Sequence, residues 1–410
     1  MASIWFHEIL KNPMKKLRRR DFLRRSVPLF SPAFLHQGLY LSAYFDKQAA
    51  SAGLADSTGM IVYSKRFVTL ETPPALLNSW ITPTEHFFVR NNLLMPEAVD
   101  ISQWRLKITG EVKTPLLLSF EELMRFPETR VANTLECAGN GRVNYRPKIG
   151  GVPWGRGGVG NAVFEGHPLH HLLEKAGLKA TAHHVAFRGL DTPPDGAEDF
   201  VRSIPIAKAM DADTLVATKM NGAALTPEHG FPARALVPGW IGAASIKWLR
   251  EIVVLTSEYK GFYMNPGYRV PLLKIVNQMG SRATETISLT SLQLKSIITA
   301  PTEGSVLPLA APTPVKIGGA AWGGETKVAG VSVSTDGGRS WRGASLGPDH
   351  AKYSWRLWSC DWMPPRAGTY LIQSRAYDTR GNMQLVTPAW NSGGYMWNGV
   401  DQVGVQILGL

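Results

Sequence analysis

Hydrophobic and polar positions alternate with a period of two through much of this chain, and long helical periodicity is rare. Residues 104–110 (WRLKITG) alternate in this way and predict a half-buried strand. The same pattern marks a strand leading out at Val131, Asn133 and Leu135, and another in residues 215–222 (LVATKMNG) that runs into an Asn-Gly turn. Residues 85–92 (EHFFVRNN) read as a short strand-like run with a polar end. Helices are predicted only in short pieces. Residues 119–123 (SFEEL) carry a serine cap, and residues 168–176 and about 207–210 give two more. From about residue 267 the texture is hairpin grammar throughout. Residues 331–341 (VSVSTDGGRSW) break at Asp-Gly-Gly, and residues 369–382 place Tyr370, Ile372, Ser374 and Ala376 on one face. Residues 268–410 therefore predict a β-sandwich of roughly immunoglobulin-like size.

A chain of 410 residues with 44% hydrophobic and 19% charged positions is a folded globular protein of more than one domain. The net charge is +12, but residues 1–50 hold nine basic against three acidic residues, which is half of it. The remaining body is mildly positive and has no dense basic stripe, so nucleic-acid binding is not expected. A small anionic substrate or an acidic protein partner suits it. Two cysteines exclude a disulfide scaffold, a CxxCH haem attachment and a four-cysteine cluster. Residues 1–55 read as an address. Arg19 and Arg20, followed by x-Phe-Leu and a basic residue, form a twin-arginine pattern, and residues 49–52 offer a cleavage site. Periplasmic export is the expectation, with a retained basic extension and a cytoplasmic protein as the alternative. No run of 18 apolar residues occurs, so no integral membrane span is expected.

The candidate chemistry gathers around residues 131–160 (VANTLECAGNGRVNYRPKIGGVPWGRGGVG). Cys137 sits in a turn-prone run in which the backbone can approach a ligand closely. It is a candidate ligand or nucleophile, set against the alternative of a buried inert thiol. Arg90 is a candidate anion clamp, against an ordinary surface arginine. His229 and Arg234 share a Pro/Gly-shaped loop, and Lys247 follows another glycine-rich turn. His170, His171 and Glu174 lack the HExxH arrangement and read as surface residues. No GxGxxG or Walker loop is present, which leaves a nucleotide site unsupported. Arg356 is flanked by aromatic residues, and Cys360 reads as a buried thiol.

Taken together and in order, FFVRNN, LECAGNGR, FRGLD, SIPIAKAMD, HGFPARALVPGWIGAASIKWL, EYKGF, STDGGRSW and WRLW resemble the sulfite oxidase family of molybdenum enzymes, from about Thr72 to the C-terminus. The resemblance implies an α+β fold: a mixed molybdopterin-binding domain over residues 56–265, then an immunoglobulin-like dimerisation domain over 266–410. It implies Mo-molybdopterin as the cofactor, with Cys137 as the thiolate ligand to the metal, a soft donor that leaves coordination positions open. Arg90, Arg142 and Arg356 would bind the sulfite dianion, with Tyr259 hydrogen-bonding nearby. Phe88, Val89, Arg90, Asn91, Asn92, Asp191, His229, Arg234, Ser245, Ile246 and Lys247 would hold the pterin and its phosphate. The implied reaction is oxidation of sulfite to sulfate, and the implied assembly a homodimer or a complex with a cytochrome subunit.

Two positions depart from the family pattern. Asn92 stands where relatives often carry histidine, and Gly141 where many carry the first arginine of a pair. No cytochrome b5-like haem module precedes the domain, so this chain is expected to carry no haem and to pass electrons to an external cytochrome c. A close alternative is the molybdenum subunit of a sulfane- or thiosulfate-oxidising complex, which the closing WNSGGYMWNGV resembles. A more distant one is a non-catalytic interaction protein built on the sandwich.

Overall fold

The computed structural model describes residues 59–272, 285–309 and 313–409. The twin-arginine segment lies outside the described residues. Among those described, α-helix is confined to Phe120–Leu123, Leu169–Ala176 and Ile206–Ala209. Helix is thus scarcer than an α+β reading implies, and the fold is mostly β.

The N-terminal region is built on two antiparallel-dominated sheets. One runs Ala223–Ala224, Leu215–Met220, Val159–Pro168, Thr129–Glu136, with Arg234–Leu236 also paired to Leu215–Met220. The other runs Leu116–Ser119, Arg105–Gly110, Leu249–Leu255, His184–Gly189, Val201–Pro205. In it Arg105–Gly110 and Leu249–Leu255 pair in parallel, so a crossover joins them. Leu106 and Ile108 of the alternating run are fully buried, against exposed Arg105 and Lys107. Ser119 closes a capping box with Glu122 and starts the first helix as its sequence predicts. Leu169–Ala176 packs Leu169, Leu172, Leu173 and Ala176 into the core beside this sheet.

Residues 85–92 differ from expectation. Thr84–His86 is a 3-10 turn, and only Val89–Arg90 pairs as strand, with Thr69–Glu71. The run is bent because Phe87 and Phe88 are both buried, which a single alternating strand does not permit.

The C-terminal region is two sheets sharing one core. A four-stranded sheet holds Lys295–Ala300, Val315–Trp322, Arg356–Trp362 and Ser345–Leu346; a five-stranded one holds Ser305–Pro308, Asp401–Leu408, Gly368–Asp378, Val328–Ser334 and Arg342–Gly343. Ile298, Ile317 and Trp358 from the first meet Val331, Ile372, Val403 and Val405 from the second. The hairpin of Arg269–Pro271 with Thr286–Ser288 belongs to neither sheet. No helix among the described residues is long and apolar enough to cross a membrane.

Candidate active site

Thr129–Glu136 ends by delivering Cys137 into a turn, where Cys137 donates its N–H to the Gly158 carbonyl (2.8 Å) and accepts from Asn140 N–H (2.9 Å). The turn is anchored from behind by a buried charge cluster. Glu136 accepts from Asn140 Nδ2 and from Trp322 Nε1, each at 2.9 Å, and pairs with the ammonium of Lys295. Both charged side chains are under a tenth exposed. Cys137 is therefore fixed to the C-terminal region through the residue immediately before it.

A pocket with roughly 720 Å³ of empty space, part of it open to solvent, lies over Cys137. Its lining brings together Phe88, Arg90, Asn91, Asn92, Cys137, Asp191, His229, Arg234, Ser245, Ile246 and Lys247, scattered over 160 residues of sequence. Val89 does not line it; its side chain is buried in the core. The cations are tied to backbone oxygens rather than to acids. Arg234 donates to the His229 and Ser245 carbonyls (both 3.0 Å), and Lys247 donates to the Glu228 carbonyl (2.7 Å) and to Asn91. Neither makes an ion pair among the described residues, and Asp191 is the only acid in the lining. Electrostatics follow from burial. It draws the Arg234 guanidinium down to about 10 and Lys247 well below its ordinary value, with Arg234 pushing Lys247 the same way. His229 falls to about 3 for the same reason, helped by Lys247 and Arg234, and Asp191 is pushed up to about 6.

At the other end of the pocket, Arg90 donates to Asn92 Oδ1 (2.8 Å), and the Asn92 amide meets the Tyr268 hydroxyl (3.1 Å). Asn92 thus bridges a guanidinium and a phenol, which gives the histidine-to-asparagine departure a physical role. Burial raises the Tyr268 phenol far above its ordinary value despite Arg90, so it stays a hydrogen-bond donor. Burial likewise raises the Cys137 thiol, against the pull of Arg90. The Gly141 departure is also explained. Gly141 has φ +87°, and a Cβ there would lie 2.6 Å from the Trp397 ring, leaving no room for an arginine.

Three of the expected site residues lie outside this lining. Tyr259 does not line the pocket; it is half-buried, and its N–H donates to Ser203 Oγ. The phenol in the pocket is Tyr268, nine residues on. Arg356 does not line it either, since it belongs to the four-stranded sheet and donates to the Gly347 carbonyl (2.7 Å). Of its aromatic neighbours, Trp358 is sandwich core, and Trp355 packs with Leu77, Ala138 and Trp322. Arg142 lies beside the pocket without lining it, donating to the carbonyls of Val152 (2.9 Å) and Gly393 (3.1 Å), with its guanidinium over the Tyr395 ring. Tyr268, Phe200, Trp248 and Tyr395 are the residues that sequence reasoning missed. His170, His171 and Glu174 bring donor atoms within 4.8 Å of one another, at neighbouring positions of one helix away from this lining.

The residues fit a molybdopterin. One soft thiol is presented to the pocket, and Asn91 Nδ2 and Arg234 Nε are buried without a partner. The cationic end suits a phosphate, and Asp191 suits the N–H donors of a pterin. The fold and site thus define a molybdopterin oxidoreductase. Residues 92–263 match the oxidoreductase molybdopterin binding domain, and residues 286–407 the Mo-co oxidoreductase dimerisation domain. The chain is 37% identical to sulfite oxidase of Gallus gallus over 82% of its length and 76% of that protein. It is 36% identical to mitochondrial sulfite oxidase of Rattus norvegicus over 85% of its length, but spans only 65% of that relative. A chain of the sulfane dehydrogenase SoxCD from Paracoccus pantotrophus superimposes with a TM-score of 0.72 at 26% identity, covering 96% of this chain and 92% of that one. The chain belongs to the sulfite oxidase family, and its cofactor is Mo-molybdopterin.

Proposed function

We propose that this protein oxidises sulfite to sulfate and passes the electrons to an external acceptor, cytochrome c. The observation that carries the reading is the convergence of Cys137, Arg90, Asn92 and Tyr268 at one end of a pocket whose other end is cationic. Overall, sulfite and water give sulfate, two protons and two electrons. Bound through Cys137, the cofactor supplies the two-electron couple and oxygen-atom transfer. Arg90 binds an anionic sulfur oxygen, and its bond to Asn92 fixes the direction of the fork. Tyr268, kept protonated, donates to the same anion. Arg142 adds positive potential from behind Tyr395, which favours binding of the anionic substrate. His229, Arg234 and Lys247 hold the cofactor phosphate, and Asp191 the pterin ring. Phe87, Phe88 and Phe200 make an apolar wall that excludes water and strengthens these contacts.

A second reading is oxidation of a sulfane sulfur with a cytochrome partner. It is favoured by the whole-chain superposition on SoxCD, which covers 96% of this chain. In both readings residues 56–265 form the cofactor domain, and residues 266–410 form an immunoglobulin-like unit for homodimerisation or docking of a cytochrome subunit. Residues 1–55 direct export to the periplasm by the twin-arginine route.

The test is steady-state turnover of molybdenum-loaded protein with sulfite, thiosulfate and a protein-bound persulfide, each against cytochrome c and oxygen. Rapid sulfite-dependent reduction of cytochrome c is the expected result. Turnover with the persulfide and none with sulfite establishes the second reading and removes the first.

A further inference from the structure

Behind the pocket, outside its lining, lies a buried arginine that the reaction scheme does not use. Arg202 is 2% exposed and makes no ion pair among the described residues. Burying an unpaired guanidinium is costly, so its placement calls for a reason. Its two terminal nitrogens donate to the carbonyls of Tyr263 and Leu289, the latter at 3.2 Å. Its charge lies 5.2 Å from the centre of the Tyr268 ring.

Tyr268 needs holding. Its φ is +52°, in the left-handed region that a bulky residue adopts only when its surroundings enforce it. Two of the backbone segments that hold it run through residues that Arg202 ties down. Tyr263 lies in the turn that leads into Tyr268, and Leu289 donates its N–H to the Tyr268 carbonyl at 2.9 Å. Arg202 thus bridges the two backbone segments that fix Tyr268, while its guanidinium packs on the ring itself.

The chain of contacts continues into the C-terminal region. The Tyr268 ring stacks on Tyr395, with centroids 5.4 Å apart and planes within 14°, and Arg142 sits 5.6 Å over Tyr395. Met396 donates its N–H to the Ala138 carbonyl (2.8 Å), tying that loop to the turn of Cys137. Two cations and two stacked phenols therefore form one column, Arg202–Tyr268–Tyr395–Arg142, which runs from behind the pocket to the loop of Cys137.

We propose that Arg202 and Tyr395 are positioning residues, which act on the reaction by holding the Tyr268 hydroxyl in register with Asn92 and Arg90. This rests on the reading of the pocket as a site of sulfur oxidation. Neither residue touches substrate. Their effect passes through one hydroxyl, so it must vanish when that hydroxyl is removed.

The experiment uses full-length holoenzyme carrying 3-fluorotyrosine at position 268, with Arg202→Gln, Arg202→Lys, Tyr395→Leu and Tyr395→Phe variants. One narrow fluorine resonance is expected for the parent and for Tyr395→Phe, which keeps the stack. A broadened or split resonance is expected for Arg202→Gln and Tyr395→Leu. In unlabelled protein, Arg202→Gln lowers kcat about 10-fold, the scale of a modest misplacement of a reacting group, with KM changed by less than about 3-fold. Combined with Tyr268→Phe it adds less than about 2-fold, whereas its effect on melting temperature persists. Equal losses of kcat with and without the Tyr268 hydroxyl overturn the proposal, as does an unchanged fluorine line in both Arg202→Gln and Tyr395→Leu. Where Arg202→Gln fails to fold, Arg202→Lys decides by the same two criteria, since it keeps the charge and loses the bidentate bridge. If the parent holoenzyme oxidises no sulfur compound, the functional reading fails, and the fluorine line alone decides whether the clamp exists.

Discussion

One cluster of buried charge lies behind Cys137 and another at the far, cationic end of its pocket, and the two are built on opposite terms. In front, Arg234, Lys247 and His229 face a cavity with backbone carbonyls for partners and no acid in ion-pair contact. Behind, Lys295 is paired with Glu136, whose oxygens are further satisfied by Asn140 and Trp322. The rear cluster is closed, with each charge answered within the chain. The front cluster is left open, and its depressed lysine, arginine and histidine pKa values record the cost of waiting for an anion. Unanswered buried charge that lines a cavity is thus a mark of a ligand site, whereas the equally unpaired Arg202, outside the lining, belongs to the scaffold.

The comparison breaks most severely at Cys137. Cys137→Ser is expected to lower turnover by about a thousand-fold or more and to abolish thiolate-to-metal charge-transfer absorption, with the melting temperature of the protein nearly unchanged. Turnover near wild type removes the thiol from the centre. Next come Tyr268→Phe and Tyr259→Phe, assayed side by side. The first is expected to reduce kcat/KM by about a hundred-fold, the size of losing a donor to developing charge, and the second by less than about 2-fold.

Lysine-to-methionine changes in the two clusters should differ in sign. Lys295→Met strands Glu136 and is expected to destabilise the protein by about 3–5 kcal/mol, measured by denaturant unfolding. Lys247→Met removes an unpaired buried cation, so cofactor-free protein should be stabilised by about 1 kcal/mol or more while the affinity for cofactor falls. Equal destabilisation by both would show that the front cluster is as closed as the rear.

The smallest effect is in pH dependence. His229 has its folded pKa depressed to about 3, below the 6.5 of an unfolded histidine. Between those values the unfolded chain takes up a proton that the native state refuses. Its contribution to the stability of cofactor-free protein is therefore present above pH 6.5 and lost as pH falls toward 3. His229→Gln should flatten the melting-temperature profile over that interval, and a profile parallel to wild type would remove His229 as its source.

Much of this was legible in the chain. Period-two alternation marks the sandwich because each of its strands has one face in a shared core, as Ile372, Ser374 and Ala376 show. The capping box at Ser119 is a local device and reads locally. Cys137 and the cations at 234 and 247 stand out because turn-forming residues surround them. What failed to read was anything set by the meeting of distant segments. Nothing local to Tyr259 or Tyr268 tells which phenol enters the pocket, which is set by distant partners such as Arg202 and Tyr395. Arg356 was misplaced for the converse reason, because a strand's aromatic neighbours look alike whether they wall a pocket or fill a sandwich. Asn92 and Gly141 read only as departures until Tyr268 and Trp397 appeared beside them.

The seat of Trp397 on Gly141 has a consequence for how the protein is made. The turn of Cys137 leaves the ribosome well before the surfaces that complete it, Gly393 on Arg142, the Tyr395 carbonyl on Tyr145 and Met396 on Ala138. A chain halted before residue 393 holds the thiol but not the walls that orient its neighbours. Completion of the site thereby waits until residues 393–397 have been made, and a product truncated before them is denied a finished centre.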